Sequence, residues 1–387
     1  MVEGVSGGAQ LFDGVRRDRL VDTFLRLAVI DGPSGHEAAV AEFLEDQLGS
    51  LGFSMERDQA HLQTGGDCGN VFAWRPGSVL GAEPLFLSSH MDTVLPTAML
   101  RPVLDEREIR SDGSTILGAD DRAAIAAYLE ALTVIEESAM PCGPLQLIFT
   151  VSEQPGLLGS RFLDYSRVRA RRGYVYDSSG DVGQLIVKGP FSDRIRFRIS
   201  GRKAHLGLAP EEGVNAISIA GEAVSHMRLG RVDSVTVANI GVIRGGDLPS
   251  IIPDEVEMIG EARSFSQDGL AAQIDHMREA ARVAAEVYGG QVETIVERKY
   301  LGWESSPSSA HVQAAVRAAA RIGVVSHFAE TLGGADTNIF IEHGLTCMTL
   351  GIGFRKIHSF EEHIGIDNLV AAARHVVALL SEVARGD

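Results

Sequence analysis

Cysteine is scarce in this chain: Cys68, Cys142 and Cys347 are three among 387 residues. Their wide spacing and odd number argue against a disulfide scaffold. Long apolar runs are missing too. None approaches the roughly 20 residues that cross a bilayer, so no membrane association is expected. The start, MVEGVSGGAQLFDGV, has neither a basic segment nor an apolar one, so no export signal is expected and the protein reads as cytoplasmic. Positive charge is short: 35 Lys and Arg stand against 52 Asp and Glu, a formal net charge of −17. Such a surface repels phosphate backbones and anionic lipid, which argues against nucleic acid as a partner. Glycine is plentiful at 43 residues, yet no low-complexity tract holds it. With 45% hydrophobic residues, the chain has material for two or three globular domains.

What is present alternates. PLFLSS (84–89) and LQLIFTVS (145–152) are compact apolar runs suited to strands buried on both faces. Between them, residues 122–138 place Ile125, Tyr128, Leu129, Leu132 and Ile135 on one helical stripe. GYVY (173–176) and CMTLGIGF (347–354) are further strand candidates. The alternation predicts an α/β fold, a mostly parallel sheet with helices on both faces. The stretch 190–300 reads differently. RIRFRIS (194–200) alternates charged and apolar residues, and a helix follows with Val214, Ile217, Ala220 and Val224 on one side. VTVANIGVI (235–243), EVEMIGEARS (255–264), a helix near 268–288 and QVETIVERK (291–299) complete a β-α-β-β-α-β order. That order is ferredoxin-like, a complete small α+β domain. It predicts an insertion at 190–300, leaving 1–189 and 301–387 to form the main domain together.

Chemistry gathers where strands end. His90 and Asp92 close the run PLFLSSHMD, Glu153 follows LQLIFTVS, Asp177 follows GYVY, and His358 comes four residues after MTLGIGF. In open α/β sheets, ligands bind in the crevice beyond the carboxyl ends of the strands. Donors from distant sequence therefore converge at one end of one sheet. Singly, each has an ordinary reading. Asp120 and Asp121, in LGADD ahead of a helix, suit an N-cap and a first-turn acid; Asp177 suits a turn. In His90-x-Asp92, however, a carboxylate can orient the imidazole of a metal ligand. The set outweighs its members.

The ordered motifs HMDTV (90–94), LGADD (117–121), SEQPGLLGS around Glu153, GRKAHLGLAPEEGVNAI (201–217), NIGVIRGG (239–246) and IHSFEEHI (357–364) resemble the peptidase T-like metallopeptidases. These belong to the clan of glutamate carboxypeptidases and aminoacylases. The resemblance runs from about residue 20 to the C-terminus. It implies two divalent metal ions, zinc foremost, with manganese or cobalt as alternatives. His90 and Asp177 would hold one ion, His358 the other, and Asp120 would bridge them. Glu153 would be the general base and Asp92 the buttress of His90. From the inserted lid, His205 would stabilise the oxyanion, Arg263 would anchor a substrate carboxylate, and Asn239 would touch substrate. The lid would also carry a homodimer contact.

One departure stands out. The family's usual Glu-Glu pair reads Glu153-Gln154 here, followed by Pro155. The second Glu is normally a metal ligand, and zinc prefers carboxylate, nitrogen or sulfur donors to a neutral amide. The second ion is therefore expected to bind weakly. The leading expectation is a metal-dependent exopeptidase acting on short peptides through metal-activated water, like a tripeptide aminopeptidase. The alternatives are an N-acyl or N-carbamoyl amino acid amidohydrolase, and a relic that binds metal or peptide without turnover.

Overall fold

The computed structural model describes Phe12 and residues 14–384, so the segment read for an export signal lies almost wholly outside it. The chain divides into two compact units. One takes residues up to Val187, Ser305–Ala329 and everything from Ala335; the other takes Lys188–Glu304 and Glu330–Gly334.

The first unit begins with α1 (Arg17–Ala28), α2 (Ala38–Ser50), β1 (Ser54–Arg57), β2 (Val71–Arg75) and β3 (Leu85–His90). It continues with α3 (Ala119–Glu137), β4 (Leu145–Thr150), β5 (Arg172–Ser178) and β6 (Gln184–Gly189). The second unit supplies β7 (Phe191–Ser200), α4 (Ala216–His226), β8 (Thr236–Gly245), β9 (Glu255–Ser264), α5 (Gln267–Tyr288) and β10 (Gln291–Tyr300). The chain then returns to the first unit with α6 (Ala310–Arg321), α7 (Asp336–Glu342), β11 (Thr346–Gly351) and α8 (Ile366–Ala384).

The central sheet runs β1-β2-β4-β3-β5-β11-β6. Its middle is parallel, with β3 between β4 and β5, and β11 beside β5; antiparallel pairs finish each side. The apolar runs are continuous because both faces are covered. Leu85 and Leu87 enter one core with α1, α3, α6 and α8, while Phe86 enters a second with Phe340 of α7. All five stripe residues of α3 are buried, but so is most of the helix, because neighbours surround it.

In the second unit the strand order β8-β9-β7-β10 is antiparallel throughout, as a ferredoxin-like unit requires. Helices α4 and α5 close its core over Ile195, Phe197 and Ile199. The face expected for α4 is corrected. Val214 precedes the helix, Ile217 is 46% exposed, and the buried side is Ala216, Ile219, Ala220 and Ala223. The helix starts at Asn215, whose side chain caps Ile217 and Ser218, and that start sets which face turns inward.

Candidate metal centre

The residues expected at the strand ends lie together in the first unit. His90 is the last residue of β3, and its ladder with β5 ends at Ser88↔Val175. Beyond that rung the two strands no longer pair with each other, and His90 and Asp177 stand at the open end of their ladder. His90 Nε2 lies 3.1 Å from Asp120 Oδ1, and His358 Nε2 lies 3.0 Å from Asp120 Oδ2. One carboxylate thus faces two imidazoles, one on each oxygen. Glu153 Oε2 is 4.0 Å from His90 Nε2. His90, Asp121 and Asp177 each offer a ligand atom within 4.8 Å of the other two.

Backbone geometry at these positions is unusual. Asp120 and Asp121 have non-helical dihedral angles and a cis peptide bond between them, so α3 becomes regular only afterwards. Gly118 just ahead has φ 74°, and an added Cβ would meet Thr93 Cγ2 at 3.0 Å. Ser152 and His358 also hold left-handed conformations, φ 48° and 62°, which non-glycine residues adopt chiefly where surroundings impose them. The surroundings are visible. Buried Glu362 accepts hydrogen bonds from the Leu117, Gly118 and Asp120 amides at 3.0, 2.7 and 3.0 Å, pinning the loop that carries Asp120. Buried Glu37 accepts from the Ser152 amide at 2.8 Å, directly before Glu153. Neither was assigned a role from sequence, although Glu362 sits inside the motif IHSFEEHI.

Asp92 does more than steady His90. The His90 Nδ1 partner is the Asp92 backbone carbonyl at 2.9 Å, with the carboxylate at 3.3 Å. That carboxylate accepts from the Glu153 and Gln154 amides at 3.0 and 3.1 Å and from the Ser34 hydroxyl at 2.6 Å. It therefore ties the turn bearing Glu153 to the strand bearing His90. Gln154 presents its amide nitrogen to Asp120 Oδ2 at 3.0 Å, as a donor and not as an oxygen ligand.

The electrostatics suit a cation. Burial works against charge on Asp120, but the two imidazoles more than offset it and hold this carboxyl below the usual range. Burial pushes Glu153 up, with help from Asp177 and Asp336 and against the pull of His90. It also pushes up Asp177, with Asp121 and Asp120 adding repulsion, and Asp121 itself. Several carboxylates crowded together out of water are costly unless a positive charge joins them. Both Asp121 oxygens are buried without a hydrogen-bond partner. This donor set of imidazoles and carboxylates, with buried oxygens still unsatisfied, fits divalent metal ions.

His205, Arg263 and Asn239 belong to the second unit. His205 is exposed, with Nδ1 accepting from the Gly207 amide at 3.1 Å. Arg263 donates to Glu261 at 2.6 Å and to the Leu332 carbonyl at 3.2 Å. Asn239 is exposed on β8.

Known proteins resemble the chain along nearly its whole length. Residues 191–289 match the peptidase dimerisation domain of M20 enzymes, and residues 70–177 match peptidase family M28. The uncharacterised protein YqjE of Bacillus subtilis is 38% identical, covering 96% of this chain and 100% of its own. The crystal structure of aminopeptidase PepT from Bacillus cereus is 37% identical with a TM-score of 0.83, covering 96% of this chain and 100% of that one. A tripeptidase structure from Staphylococcus aureus is 36% identical with a TM-score of 0.88, covering 96% and 99%. The chain belongs to the peptidase T-like M20 family of metallopeptidases.

Proposed function

We propose that the protein is a metal-dependent exopeptidase that removes the N-terminal residue from short peptides, tripeptides foremost. The observation that carries this reading is the Asp120 carboxylate set between His90 and His358, with Glu153 4.0 Å from His90. His90 and Asp177 would hold one divalent ion and His358 the other, with Asp120 shared. When bound, two such ions polarise a carbonyl and lower the pKa of water. The remaining work falls to the chain. Glu153 takes the proton from the attacking water and delivers it to the leaving amine. Asp92 keeps the Glu153 turn and the His90 ring in register. His205 supports the oxyanion, while Arg263 and Asn239 hold the substrate, Arg263 through a carboxylate. Zinc suits the donors, with manganese or cobalt as alternatives.

The test is hydrolysis of a panel of di-, tri- and N-acylated peptides by protein stripped of metal and reloaded with zinc, manganese or cobalt. Release of the free N-terminal residue from tripeptides, dependent on metal, is the expected result. Release of an acid from acylated or carbamoylated amino acids instead would identify an amidohydrolase. Metal binding with no turnover on any member would identify a binding relic, the outcome that Gln154 favours.

A further inference from the structure

Asp120 and Asp121 are neighbours in opposite circumstances. Asp120 accepts from His90, His358 and Gln154 side chains. Asp121 is 0% exposed, and neither of its carboxylate oxygens has a partner. Buried polar groups are nearly always satisfied, so two orphan oxygens on one carboxylate call for a missing positive partner. Their position says which one. A ligand atom of Asp121 lies within 4.8 Å of ligand atoms on both His90 and Asp177. Donors at about 2.0–2.2 Å from a tetrahedral zinc ion stand roughly 3.3–3.6 Å apart, so a shift of about 1 Å brings these three onto one ion.

The charge count points the same way. Two divalent ions bring four positive charges, and the family set in this chain answers with only Asp120 and Asp177, because position 154 carries an amide. We propose that Asp121 is a further carboxylate of the metal centre, facing the ion held by His90 and Asp177 and supplying charge that Gln154 leaves out. This rests on the metal-dependent reading above. It makes the two sites unequal: the His90–Asp177 site is reinforced, while the His358 site keeps the poorer donor.

The test is zinc titration by calorimetry, with metal content after dialysis, on the parent, Asp121→Asn, Asp121→Glu, Asp121→Asn/Gln154→Glu and His90→Ala. Folding is followed by circular dichroism, and Asp121→Ser stands in if the asparagine variant does not fold. Asp121→Asn keeps size and polarity but not charge, and should weaken the tighter site at least about tenfold, the loss typical when groups supporting a metal are removed. Asp121→Glu should hold metal better than Asp121→Asn, and Gln154→Glu should recover part of the affinity that Asp121→Asn loses. An asparagine variant that titrates like the parent overturns the proposal, as does a glutamate variant that loses as much metal as asparagine. His90→Ala separates the two readings. If it too binds zinc like the parent, the metal centre itself is misplaced, whatever Asp121 does.

Discussion

Glu153 is held by its backbone and left free at its tip. Its amide is fixed to Asp92 at 3.0 Å, the preceding amide is fixed to Glu37 at 2.8 Å, and its carboxylate stands 4.0 Å from the His90 ring. A proton shuttle needs that combination of placement and freedom. Glu153→Ala should lower turnover at least about a hundredfold while leaving metal content unchanged, because general base catalysis contributes about 10²–10⁴. Metal analysis beside steady-state kinetics checks this; metal lost in proportion to activity would make Glu153 a ligand or a structural acid. Single residues of this kind were readable beforehand. His90, Asp92, Glu153, Asp177 and His358 each follow an apolar strand run, so their gathering at one sheet end followed from topology. In sequence Asp121 suits no more than a first-turn acid, since adjacent aspartates give no hint of which one turns into the protein.

Among elements, β3 and β5 matter most, because β3 ends in His90 and β5 carries Asp177 one residue before its end. At their last rung the Tyr128 hydroxyl of α3 donates to the Ser88 carbonyl at 2.8 Å and accepts from the Tyr176 amide at 3.3 Å. The helix thereby fastens both strands just before the ligands. Tyr128→Phe should keep the edge-on packing with Tyr176 but leave two buried backbone groups short of a partner, costing roughly 1–3 kcal/mol. Urea unfolding measures it, and an unchanged midpoint would mean those groups find other partners. Farther along, Tyr176 donates to His375 Nδ1 at 2.7 Å, since Nε2 must donate to the Ala315 carbonyl at 3.1 Å. Burial pushes His375 down to about 4. The unfolded histidine, near 6.5, takes up a proton first as pH falls, so stability is full above that value and drains between pH 6.5 and 4. The loss is roughly 3 kcal/mol at about 1.4 kcal/mol per unit. In EDTA, the parent should lose more stability between pH 7 and 4.5 than His375→Gln does; equal losses would assign the acid sensitivity elsewhere.

At the scale of the whole molecule, the match to a peptidase dimerisation domain makes a homodimer the expected assembly. Strand β8 is a candidate seam. Its partner on one side is β9, while on the other only Gly230 and Arg231 pair with it, at Ala238 and Val237. From Asn239 to Gly245 the outer edge is open among the described residues, and Ile243 there is 55% exposed. Open apolar edges invite another strand. Light scattering should return twice the 41.4 kDa chain mass, and Ile243→Lys should shift the equilibrium toward monomer. A dimer indifferent to that change would use another surface. Among the described residues no helix is long and apolar enough to cross a membrane.

From its sequence alone, the chain determined its alternation of buried strands and helices, the ferredoxin-like order of residues 190–300, and a set of acids and histidines at strand ends. Those are local matters: periodicity decides which face of an element is apolar, and position after a strand decides which end of a sheet a residue reaches. Tertiary structure alone decided the supports and the orphan. Glu362 finds the amides of 117–120 from more than 240 residues away, Glu37 finds Ser152 across 115, and Ser34 finds Asp92 across 58. No periodicity encodes such partners, because a hydrogen bond depends on where two side chains end in space. Asp121 follows the same logic. Its sequence neighbour takes the imidazoles, and only the packed interior turns an ordinary helix-start aspartate into a buried carboxylate beside His90 and Asp177.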